Sequence, residues 1–405
     1  MAVQPDGRII VGHNGVIARI DTFGAQDTSF AHGATICGLA GRFIVTSACD
    51  VYTIVVEPGG NILAGGFGSI IRLNPAGLVD SNFVLTAISY GFHGVTFPGR
   101  INKLLLQPDG RIVVFGAFNL INGESMRSPI RLNTDSSIER SFRSDGFWAT
   151  DGALLPEGKL LANGLSSLAR LHSDGSLDED FANAGTDGEI RAVAVLEDQR
   201  ILIGGRFSYV AGESHRALAR LNANGSLDTN FNPVVVLDNA GGIVAVQALT
   251  AGRKGHLFLA GSFADGSTRV LKLDSEGRVI SVFNSGLQFN TAQGFPGAIN
   301  SIIEEPNGEV LVAGNFDNVS SIPRPGIARL KGVRSHVHLT APALQPDGSL
   351  RVVTGSQVGS RYVLQGSIDL RSWSNIATGT ATACTLELYD PNPASARFYR
   401  VQLER

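Results

Sequence analysis

The sequence predicts an all-β protein, and three observations carry that prediction. The apolar segments are short, about four to eight residues, and they are rich in Val, Ile and Leu, which is typical of strands. Turn-forming pairs such as Asp-Gly and Asn-Gly separate these segments at regular intervals. The 49 glycines among 405 residues also suit a chain with many turns between short strands.

The composition limits the class of protein. Hydrophobic residues make up 43% of the chain and charged residues 17%, which are values of a globular protein. A net charge of −3 offers no basic surface, so we expect no nucleic-acid partner. The chain contains no run of about twenty apolar residues, so we expect no membrane-spanning helix.

One unit of about fifty residues recurs along the chain, and residues 190–233 show it most completely. It reads as four short strands: Ile-Arg-Ala-Val-Ala-Val-Leu, Arg-Ile-Leu-Ile-Gly-Gly-Arg-Phe, Ala-Leu-Ala-Arg-Leu and Leu-Asp-Thr-Asn-Phe. We find seven copies, each marked by a glycine on the second strand, a cation on the third and, in six copies, an aromatic residue on the fourth. The glycines are Gly12, Gly66, Gly116, Gly164, Gly205, Gly261 and Gly314; the cations are Arg19, Arg72, Arg131, Arg170, Arg220, Lys272 and Arg329; the aromatics are Phe30, Phe83, Phe142, Phe181, Phe231 and Phe283.

Turn chemistry predicts that each copy is a four-stranded antiparallel meander. Asp6-Gly7 between strands one and two, and Asn224-Gly225 between strands three and four, are pairs that accept the positive φ angles of tight hairpins. A lone meander cannot bury both of its faces, but seven in series can do so by stacking around an axis. The sequence therefore predicts a seven-bladed β-propeller.

A propeller needs its first and last copies to meet, and the two ends of the repeat region look complementary. Copy one lacks most of its innermost strand, and copy seven, residues 298–331, lacks its fourth. Residues 333–339 could fill this gap, which is a hypothesis. A β-solenoid would not need closure, but its rungs are usually shorter than about fifty residues.

The recurring motifs resemble the delta sixty repeat of predicted bacterial β-propellers. The motif Gln-Pro-Asp-Gly-(Lys/Arg)-Ile-x-Val-x-Gly-x-Phe is followed by Arg-Leu-Asn-x-x-Gly-Ser-Leu-Asp-x-x-Phe, and residues 222–231 match the second motif nearly throughout. The resemblance covers residues 1 to about 332. Three copies depart from the motifs. In copy two, Gly59-Gly60 replaces Asp-Gly, and in copy four Leu165 stands where Phe is expected. In copy six, Ile280 replaces the Asp of the final strand.

The resemblance implies an exported or surface protein of an environmental bacterium, and no activity is shared across the family. We therefore expect an extracellular or cell-surface location. The first residues, 1–7, lack the charged start and apolar core of a signal peptide. They enter a repeat partway through its first strand, which suggests that natural upstream residues are missing from this chain.

The period stops near Val333, and residues 333–405 form a second predicted domain after the propeller of residues 1–332. Two motifs distinguish this domain: Ser-x-Asp-Leu-x-x-Trp, ending at Trp373, and Arg-Phe-Tyr-Arg, beginning at Arg397. These motifs resemble a small β-sandwich module at the C-termini of exported bacterial proteins. The resemblance implies a role in display or attachment; a stabilising cap on the propeller is the alternative.

The repeated cations allow two interpretations. One is a ring of cations that binds an anion in the channel. We favour the other, structural ion pairs within or between blades, because an acid recurs on the fourth strand: Asp27, Asp80, Glu139, Asp178 and Asp228. Where Ile280 replaces this acid, the cation is Lys272, and Arg suits such a pair because its planar group can hold a carboxylate through two bonds.

The meander connectivity separates two faces. The turns between strands one and two, and three and four, lie on one face, which we call the tight-turn face. The loops between strands two and three, such as 122–127 and 209–216, and the connectors 31–50, 84–100, 146–150 and 284–297 lie on the other, which we call the loop face. Binding residues concentrate in variable loops on a rigid scaffold.

Aromatic residues and histidines of the loop face are the candidate ligand-binding residues: Tyr90, Phe92, His93, Phe97, Trp148, Tyr209, His215, Phe289 and Phe295. Such side chains can stack on sugar rings or anchor a protein partner. The alternative is that they plug the channel mouth or pack beneath the connectors.

Catalytic signatures are weak. The sequence has no Gly-x-Ser-x-Gly motif and no phosphate loop. His336 and His338 would share one strand face as half of a metal site, but no third ligand is identifiable, so we expect no metal and no cofactor. Cys37 and Cys49 could pair in an oxidising compartment and leave Cys384 over; three unpaired thiols are the alternative.

The sequence therefore predicts a monomeric, non-catalytic recognition or scaffold protein that binds a glycan or a protein on its loop face. Two alternatives stay open. One is a lyase or hydrolase with its site at the channel mouth, which a cluster of carboxylates with His or Tyr would indicate. The other is a purely structural spacer within a larger surface protein.

Overall fold

The computed structural model describes most of the chain. The described residues are 1–13, 15–31, 50–85, 88–93, 95–143, 147–231, 233, 242–282, 288–305, 308–320, 322–330, 343–355, 361–369, 372–381, 385–393 and 398–403. The architecture is all-β, as the sequence predicts. No helix in these ranges is long and apolar enough to cross a membrane.

Antiparallel sheets follow one another from Ala2 to Leu330, and we number them sheets 1 to 7 in chain order. In each sheet the successive strands pair in sequence order. We call the first strand of each sheet innermost, because it contacts the first strand of the neighbouring sheet. Sheet 1 contains Ala2–Val3, Ile9–His13 and Val16–Ile20. Sheet 2 contains Val51–Val56, Ile62–Gly66, Ile70–Leu73 and Val79–Leu85. Sheet 3 contains Arg100–Leu106, Ile112–Ala117 and Ile130–Leu132. Sheets 4 and 5 contain Asp151–Leu154, Leu160–Asn163 and Leu168–Leu171; and Glu189–Val195, Ile201–Arg206 and Leu218–Leu221. Sheet 6 contains Ile243–Ala251, Leu257–Phe263, Thr268–Leu273 and Val279–Val282. Sheet 7 contains Ala298–Glu304, Val310–Asn315 and Ile327–Leu330.

The sheets stack in chain order. The innermost strand of each sheet contacts the innermost strand of the next, from sheet 1 through sheet 7. A separate apolar cluster fills each of these interfaces; Ile10 and Ile17 of sheet 1, for example, pack with Ile62 and Ile71 of sheet 2. Five further clusters join the other neighbouring sheets in the same way. The apolar segments that define the repeat therefore form a core between sheets.

The prediction of four strands in every copy is wrong for several sheets. Sheets 2 and 6 have four strands, whereas sheets 1, 3, 4 and 5 have three. In these four sheets the expected fourth strand forms one isolated bridge, such as Leu221 with Leu227, and then turns away.

The acid of the motif favours this turn. In sheet 5, Asn230 N–H donates to Asp228 Oδ1 at 3.1 Å and Phe231 N–H donates to the Asp228 carbonyl, so local bonds compete with the strand ladder. Sheet 6 has Ile280 at this position and continues as a strand. Asp80 of sheet 2 makes the same side-chain bond and still lies in a strand, so the acid alone does not decide the outcome.

The paired glycines of the second strand allow two close approaches. In sheet 5 the innermost strand has a bulge between Ile190 and Ala192, and a Cβ atom on Gly205 would lie 2.0 Å from the Glu189 carbonyl oxygen. A Cβ atom on Gly204 would lie 2.6 Å from Val246 of sheet 6. The glycine pair of the motif therefore sets the spacing both within a sheet and between neighbouring sheets.

Small accessory sheets lie on the loop face beside sheets 3, 5 and 7, and the sequence did not predict them. Accessory sheet A contains Ile88–Phe92, Val95–Pro98, Leu120–Ile121 and Glu124–Ser125; accessory sheet B contains Tyr209–Val210 and Glu213–Ser214; accessory sheet C contains Phe289–Asn290, Asn318–Val319 and Ile322–Pro323. In sheets A and C, the loop between strands two and three pairs with the connector that enters the sheet. In sheet B a bridge from Thr186 to Val210 does the same.

Residues 343–403 form a separate group of strands with their own core. One sheet contains Ala343–Leu344, Leu350–Gly355 and Thr385–Asp390, and the other contains Arg361–Ser367, Ser374–Thr380 and Phe398–Leu403. Their shared apolar cluster includes Val352, Tyr362, Leu364, Leu388 and Val401. The assignment to a β-sandwich module, and the boundary at residue 333, stay predictions.

Some predicted features lie outside the described residues. These are Cys37, Cys49 and Cys384, the pair His336 and His338, the segment 333–339 and Phe283.

Candidate functional site

Arg220 shows what the repeated cation does. Its side chain is 1% exposed, and its Nε donates to Asp228 Oδ2 at 2.7 Å. Its guanidinium carbon lies 4.5 Å from the centre of the Phe231 ring. Its Nη1 donates to the Ser275 carbonyl of sheet 6 at 2.5 Å. One side chain therefore joins the end of its own sheet to a turn of the next sheet.

The same three contacts recur in sheets 1 to 4. The acid and ring partners are Asp27 and Phe30 for Arg19, Asp80 and Phe83 for Arg72, Glu139 and Phe142 for Arg131, and Asp178 and Phe181 for Arg170. The carbonyls that accept from the next sheet belong to Pro75, Thr134, Ser173 and Ala223. The predicted structural ion pairs are confirmed in these sheets, because each arginine holds a carboxylate of its own sheet.

Sheets 6 and 7 depart from this pattern in different ways. With Ile280 in place of the acid, Lys272 Nζ lies 5.4 Å from the centre of the Phe258 ring. Arg329 of sheet 7 instead donates from Nη2 to Glu305 Oε1 at 3.0 Å. Its Nε lies 2.8 Å from Glu305 Oε2 but is not aimed at it. Its Nη1 donates to the Thr22 carbonyl of sheet 1 at 3.0 Å.

The pKa values of the acids of the motif are lowered in the folded chain. Burial works to raise the pKa of Asp178, but hydrogen bonds from Arg170 and Lys159 outweigh it and lower the pKa to about 2. A hydrogen bond from the Ser29 hydroxyl is the largest cause of the same lowering, to about 2, at Asp27. These carboxylates stay ionised over the physiological range, as paired structural groups do.

The loop face carries most of the predicted ligand-binding residues, which remain candidates. Phe97, Trp148, Tyr209 and Phe295 are between 50% and 68% exposed. His93 is exposed with φ of 48°, and Tyr90 and His215 are half-buried. Phe92 lies in accessory sheet A, and its side chain is not among the described ones.

Phe289 differs from the other candidates. It is 2% exposed and packs edge to face against Phe316, with ring centres 5.1 Å apart. It belongs to the apolar cluster between sheets 6 and 7, because accessory sheet C turns its side chain inward. Phe289 is therefore a core residue rather than a ligand-binding residue.

The exposed aromatics are distributed over several sheets rather than gathered at one point. Tyr90 and Phe97 are opposite each other in accessory sheet A. Trp148 lies on the connector into sheet 4, and Tyr209 lies in accessory sheet B. Phe295 lies on the connector into sheet 7.

Side chains hold the accessory sheets in place. Asn119 Oδ1 accepts from Gly91 N–H at 2.7 Å, and its Nδ2 donates to the Gly91 carbonyl at 2.9 Å. Asp187 Oδ1 accepts from Ser208 and Tyr209 N–H at 2.8 and 2.9 Å. Asp317 Oδ2 accepts from Ala292 N–H at 2.6 Å. Each of these five bonds joins a connector to a loop, so three side chains hold the loop face in place before any ligand arrives.

Sequence reasoning missed three exposed apolar side chains on this face: Val95, Leu165 and Ile322. Leu165 is 69% exposed on the short loop of sheet 4. A signal was present, because Leu165 stands where the repeat motif expects Phe. In other copies that Phe is buried, as in Phe118 and Phe207, so the substitution marks a surface position.

Lys103 and Asp151 lie on the innermost strands of sheets 3 and 4. Burial raises the pKa of Asp151, and the positive charge of Lys103 opposes that shift. The described part of the chain contains no group of three or more His, Cys, Asp or Glu side chains that could hold a metal ion.

Comparison with known families and structures supports the propeller fold. A family model described as a domain of unknown function (DUF5122) beta-propeller matches residues 107–142, 155–181, 197–231 and 305–332. These segments lie in sheets 3, 4, 5 and 7. The delta sixty repeat resemblance itself stays a prediction. No protein with a curated description matches the chain significantly.

Among solved structures, PorZ of Porphyromonas gingivalis, a surface component of the type-IX secretion system, has a similar fold. The TM-score is 0.54 at 12% identity, over 99% of this chain and 58% of that one. A protein of unknown function from Bacteroides caccae has a TM-score of 0.44 at 14% identity, over 68% and 92%. A gluconolactonase from Xanthomonas campestris has a TM-score of 0.38 at 15% identity, over 64% and 80%. The likeness to PorZ concerns the fold and not an activity.

Proposed function

We propose that sheets 1 to 7 close into a seven-bladed propeller. The supporting observation is the hydrogen bond from Arg329 of sheet 7 to Thr22 of sheet 1. Thr22 occupies the turn position at which the other arginines of the series meet the following sheet, as Arg19 meets Pro75. The last sheet therefore contacts the first through the same bond that joins neighbouring sheets.

The closed ring acts as a non-catalytic recognition module that binds a glycan or a protein on its loop face. The observation that carries this proposal is the set of exposed aromatics on loops that Asn119, Asp187 and Asp317 hold in fixed positions. Large, rigid, exposed aromatic side chains provide binding area at a low entropic cost.

The protein works outside the cell or at its surface. The fold is similar to that of a bacterial surface component, and the repeat and C-terminal motifs resemble those of exported proteins. Residues 333–405 serve in display or attachment, which leaves the loop face of residues 1–332 for binding.

A binding assay on the purified chain tests this proposal. We expect a hit on a glycan array or a peptide array, and we expect Trp148→Ser and Tyr209→Ser to weaken it about tenfold or more, as the loss of an aromatic anchor does. Phe23→Ser is the matched control, because Phe23 is 92% exposed on the tight-turn face. Binding that is lost with Phe23→Ser and kept in the other variants would contradict the proposal.

A further inference from the structure

Four junctions between neighbouring sheets share one packing arrangement on the tight-turn face. A phenylalanine of one sheet stacks on the repeated arginine of that sheet and packs against a glycine of the next sheet, in the turn after its third strand. A Cβ atom on this glycine would lie between 2.7 and 2.9 Å from the ring. The pairs are Phe30 with Gly77, Phe142 with Gly175, Phe181 with Gly225 and Phe231 with Gly277. All four glycines are buried.

The residue after the phenylalanine adds a hydrogen bond in three of these junctions. Its N–H donates to the carbonyl of the residue before the glycine, at 2.7 to 2.8 Å. The donors are Ala31, Arg143 and Ala182, and the acceptors are Ala76, Asp174 and Asn224. A filled junction therefore combines an aromatic ring with one backbone N–H from the residue that follows it.

The junction of sheet 7 with sheet 1 has the same turn, and its glycine is not covered. Gly24 has φ of 92° and is exposed, and a Cβ atom on it would have no described residue within 4 Å. In the described part of the chain, no group donates to the Phe23 carbonyl and no ring stacks on Arg329. Arg329 nevertheless bonds the Thr22 carbonyl at 3.0 Å, as the other arginines bond the next sheet. We call Arg329 and residues 22–24 the Gly24 site.

The charges at the Gly24 site differ from those of a filled junction. In sheet 4, two cations contact the one acid Asp178, at 2.7 and 3.0 Å. In sheet 7, the one cation Arg329 lies 2.8 Å from Glu305 and 3.8 Å from Glu309. A further carboxylate three residues before a docked ring would meet two acids that share a single arginine. Like charges repel at such a contact, so a neutral or basic residue is favoured there.

The segment that follows sheet 7 in the chain supplies no aromatic ring of this kind. The sequence contains no Phe, Tyr or Trp between Leu330 and Tyr362. Tyr362 is 0% exposed and belongs to the apolar cluster of the C-terminal strands. A ring at the Gly24 site therefore comes from elsewhere.

A second copy of this chain fits the site poorly. The three most exposed phenylalanines of the described residues are Phe23, Phe97 and Phe295. Proline follows Phe97 and Phe295, and proline has no N–H. Gly24 follows Phe23, and its N–H already donates to the Asp21 carbonyl at 3.1 Å. None of the three offers both a ring and a free N–H after it, so a different polypeptide is the better occupant.

We propose that the Gly24 site binds an extended segment of a partner protein that carries a phenylalanine, a residue other than proline after it, and no acid three positions before it. The ring packs between the Arg329 guanidinium and Gly24, and the next N–H donates to the Phe23 carbonyl. The site lies on the tight-turn face. It therefore goes beyond the loop-face function and needs only the contact between Arg329 and Thr22.

A synthetic peptide copied from the chain itself is the probe. It has the sequence of residues 226–233, Ser-Leu-Asp-Thr-Asn-Phe-Asn-Pro, with Asp228→Asn. Fluorescence anisotropy measures its binding to the full chain. We expect saturable binding that Phe231→Ala in the peptide weakens about tenfold or more. The peptide that keeps Asp228 should bind more weakly than the Asn form, and high salt should reduce the difference.

Substitution of Gly24 in the full chain makes the test specific. Gly24→Asn should weaken binding of the Asn peptide about tenfold or more, because its side chain takes the place of the ring while asparagine tolerates a positive φ. Gly212→Asn is the matched control on the loop face, since Gly212 is exposed with φ of 83° and a Cβ atom there meets nothing within 4 Å. It should bind the peptide unchanged, and thermal melting shows that both variants are folded.

Several outcomes would overturn the inference. One is the absence of saturable binding, or binding that neither Phe231→Ala in the peptide nor Gly24→Asn in the chain weakens. Another is self-association of the chain that Gly24→Asn abolishes, because a second copy would then occupy the site. Peptide binding that Trp148→Ser abolishes would place the peptide on the loop face instead and leave the loop-face function standing. Equal affinity for the Asp228 and Asn peptides would contradict the exclusion of an acid.

Discussion

At the scale of single residues, the repeated arginine contacts an acid and a phenylalanine of its own copy and a carbonyl of the next sheet. Its distance from the acid and the phenylalanine is set within one copy, so the sequence period sufficed to predict the ion pair. Its bond to a carbonyl of the next sheet depends on how the sheets pack, which no local pattern reveals. The sequence therefore predicted the ion pair with Asp228 without deciding whether it lies within a sheet or between sheets, and it missed Ser275.

Removing a buried arginine should destabilise the chain strongly. We expect Arg220→Ala to lower the free energy of unfolding by about 3–5 kcal/mol, because the bond to Ser275 is lost and Asp228 is left buried with only Arg200, at 3.5 Å, as a cationic partner. Arg220→Lys should recover part of this loss, since a lysine cannot make all three contacts. Urea denaturation measures both, with the exposed Arg278→Ala as control. Equal effects of Arg220→Ala and Arg278→Ala would contradict the pairing.

The lowered pKa values of the acids predict how stability depends on pH. Asp27 and Asp178 have folded pKa values of about 2, below the value of about 3.9 for an unfolded chain. Their contribution is fully present above about pH 4 and is lost as the pH falls towards 2. We expect thermal melting to be nearly constant from pH 7 to 5 and to fall below pH 4. Asp178→Asn should melt lower at pH 7 and show a shallower acid dependence; an unchanged acid dependence would argue against the assignment.

At the scale of elements, long strands were predictable and short ones were not. The innermost and second strands show clear apolar runs, and the structure contains them in every copy. The accessory sheets consist largely of strands of two residues, such as Tyr209–Val210, which have no measurable period. The turn after the third strand was misassigned because Asp-x-x-Phe contains an apolar residue that suits either a strand or a buried turn.

The side-chain bonds of the accessory sheets should control local order. We expect Asp187→Ala to increase hydrogen exchange at residues 208–215, because Ser208 and Tyr209 lose the acceptor of their amide protons. Global stability should change little, since the affected bonds are exposed. Exchange measured by mass spectrometry separates the two effects. Protection that stays at the wild-type level would mean that Asp187 does not hold the loop.

Substitution of Gly204 tests how closely sheets 5 and 6 pack against each other. We expect Gly204→Ala to cost about 1–3 kcal/mol of unfolding free energy, because its Cβ would meet Val246 at 2.6 Å. Gly185→Ala is the matched control, since a Cβ atom there meets nothing within 4 Å and its φ is not positive. Chemical denaturation measures the unfolding free energy of both variants. If Gly204→Ala is as stable as Gly185→Ala, the sheets are not packed as described.

At the scale of the whole molecule, the repeat predicted the order in which the sheets stack, whereas it did not show how the last sheet meets the first. The sequence left open how copy seven meets copy one, because copy seven lacks the acid that pairs with the arginine elsewhere. Glu305, on the innermost strand side of sheet 7, takes the place of that acid and keeps Arg329 aimed at sheet 1. Glu305 occupies a different position of the repeat from the acid whose role it takes. An alignment of the seven copies therefore does not reveal this replacement.

The proposed ring closure also bears on whether the loop face can serve as one binding surface. In a closed ring the connectors and accessory sheets all project from one side of a rigid scaffold. In an open stack of sheets, the same loops would lie at changing angles and distances from one another.

An experimental structure of the chain, inspected at the junction of sheets 7 and 1, tests this account most directly. We expect the Arg329 guanidinium to donate to the Thr22 carbonyl, with the innermost strands of both sheets facing one axis. A gap at this junction, or an open spiral in which another segment occupies the edge of sheet 1, would contradict the closed propeller.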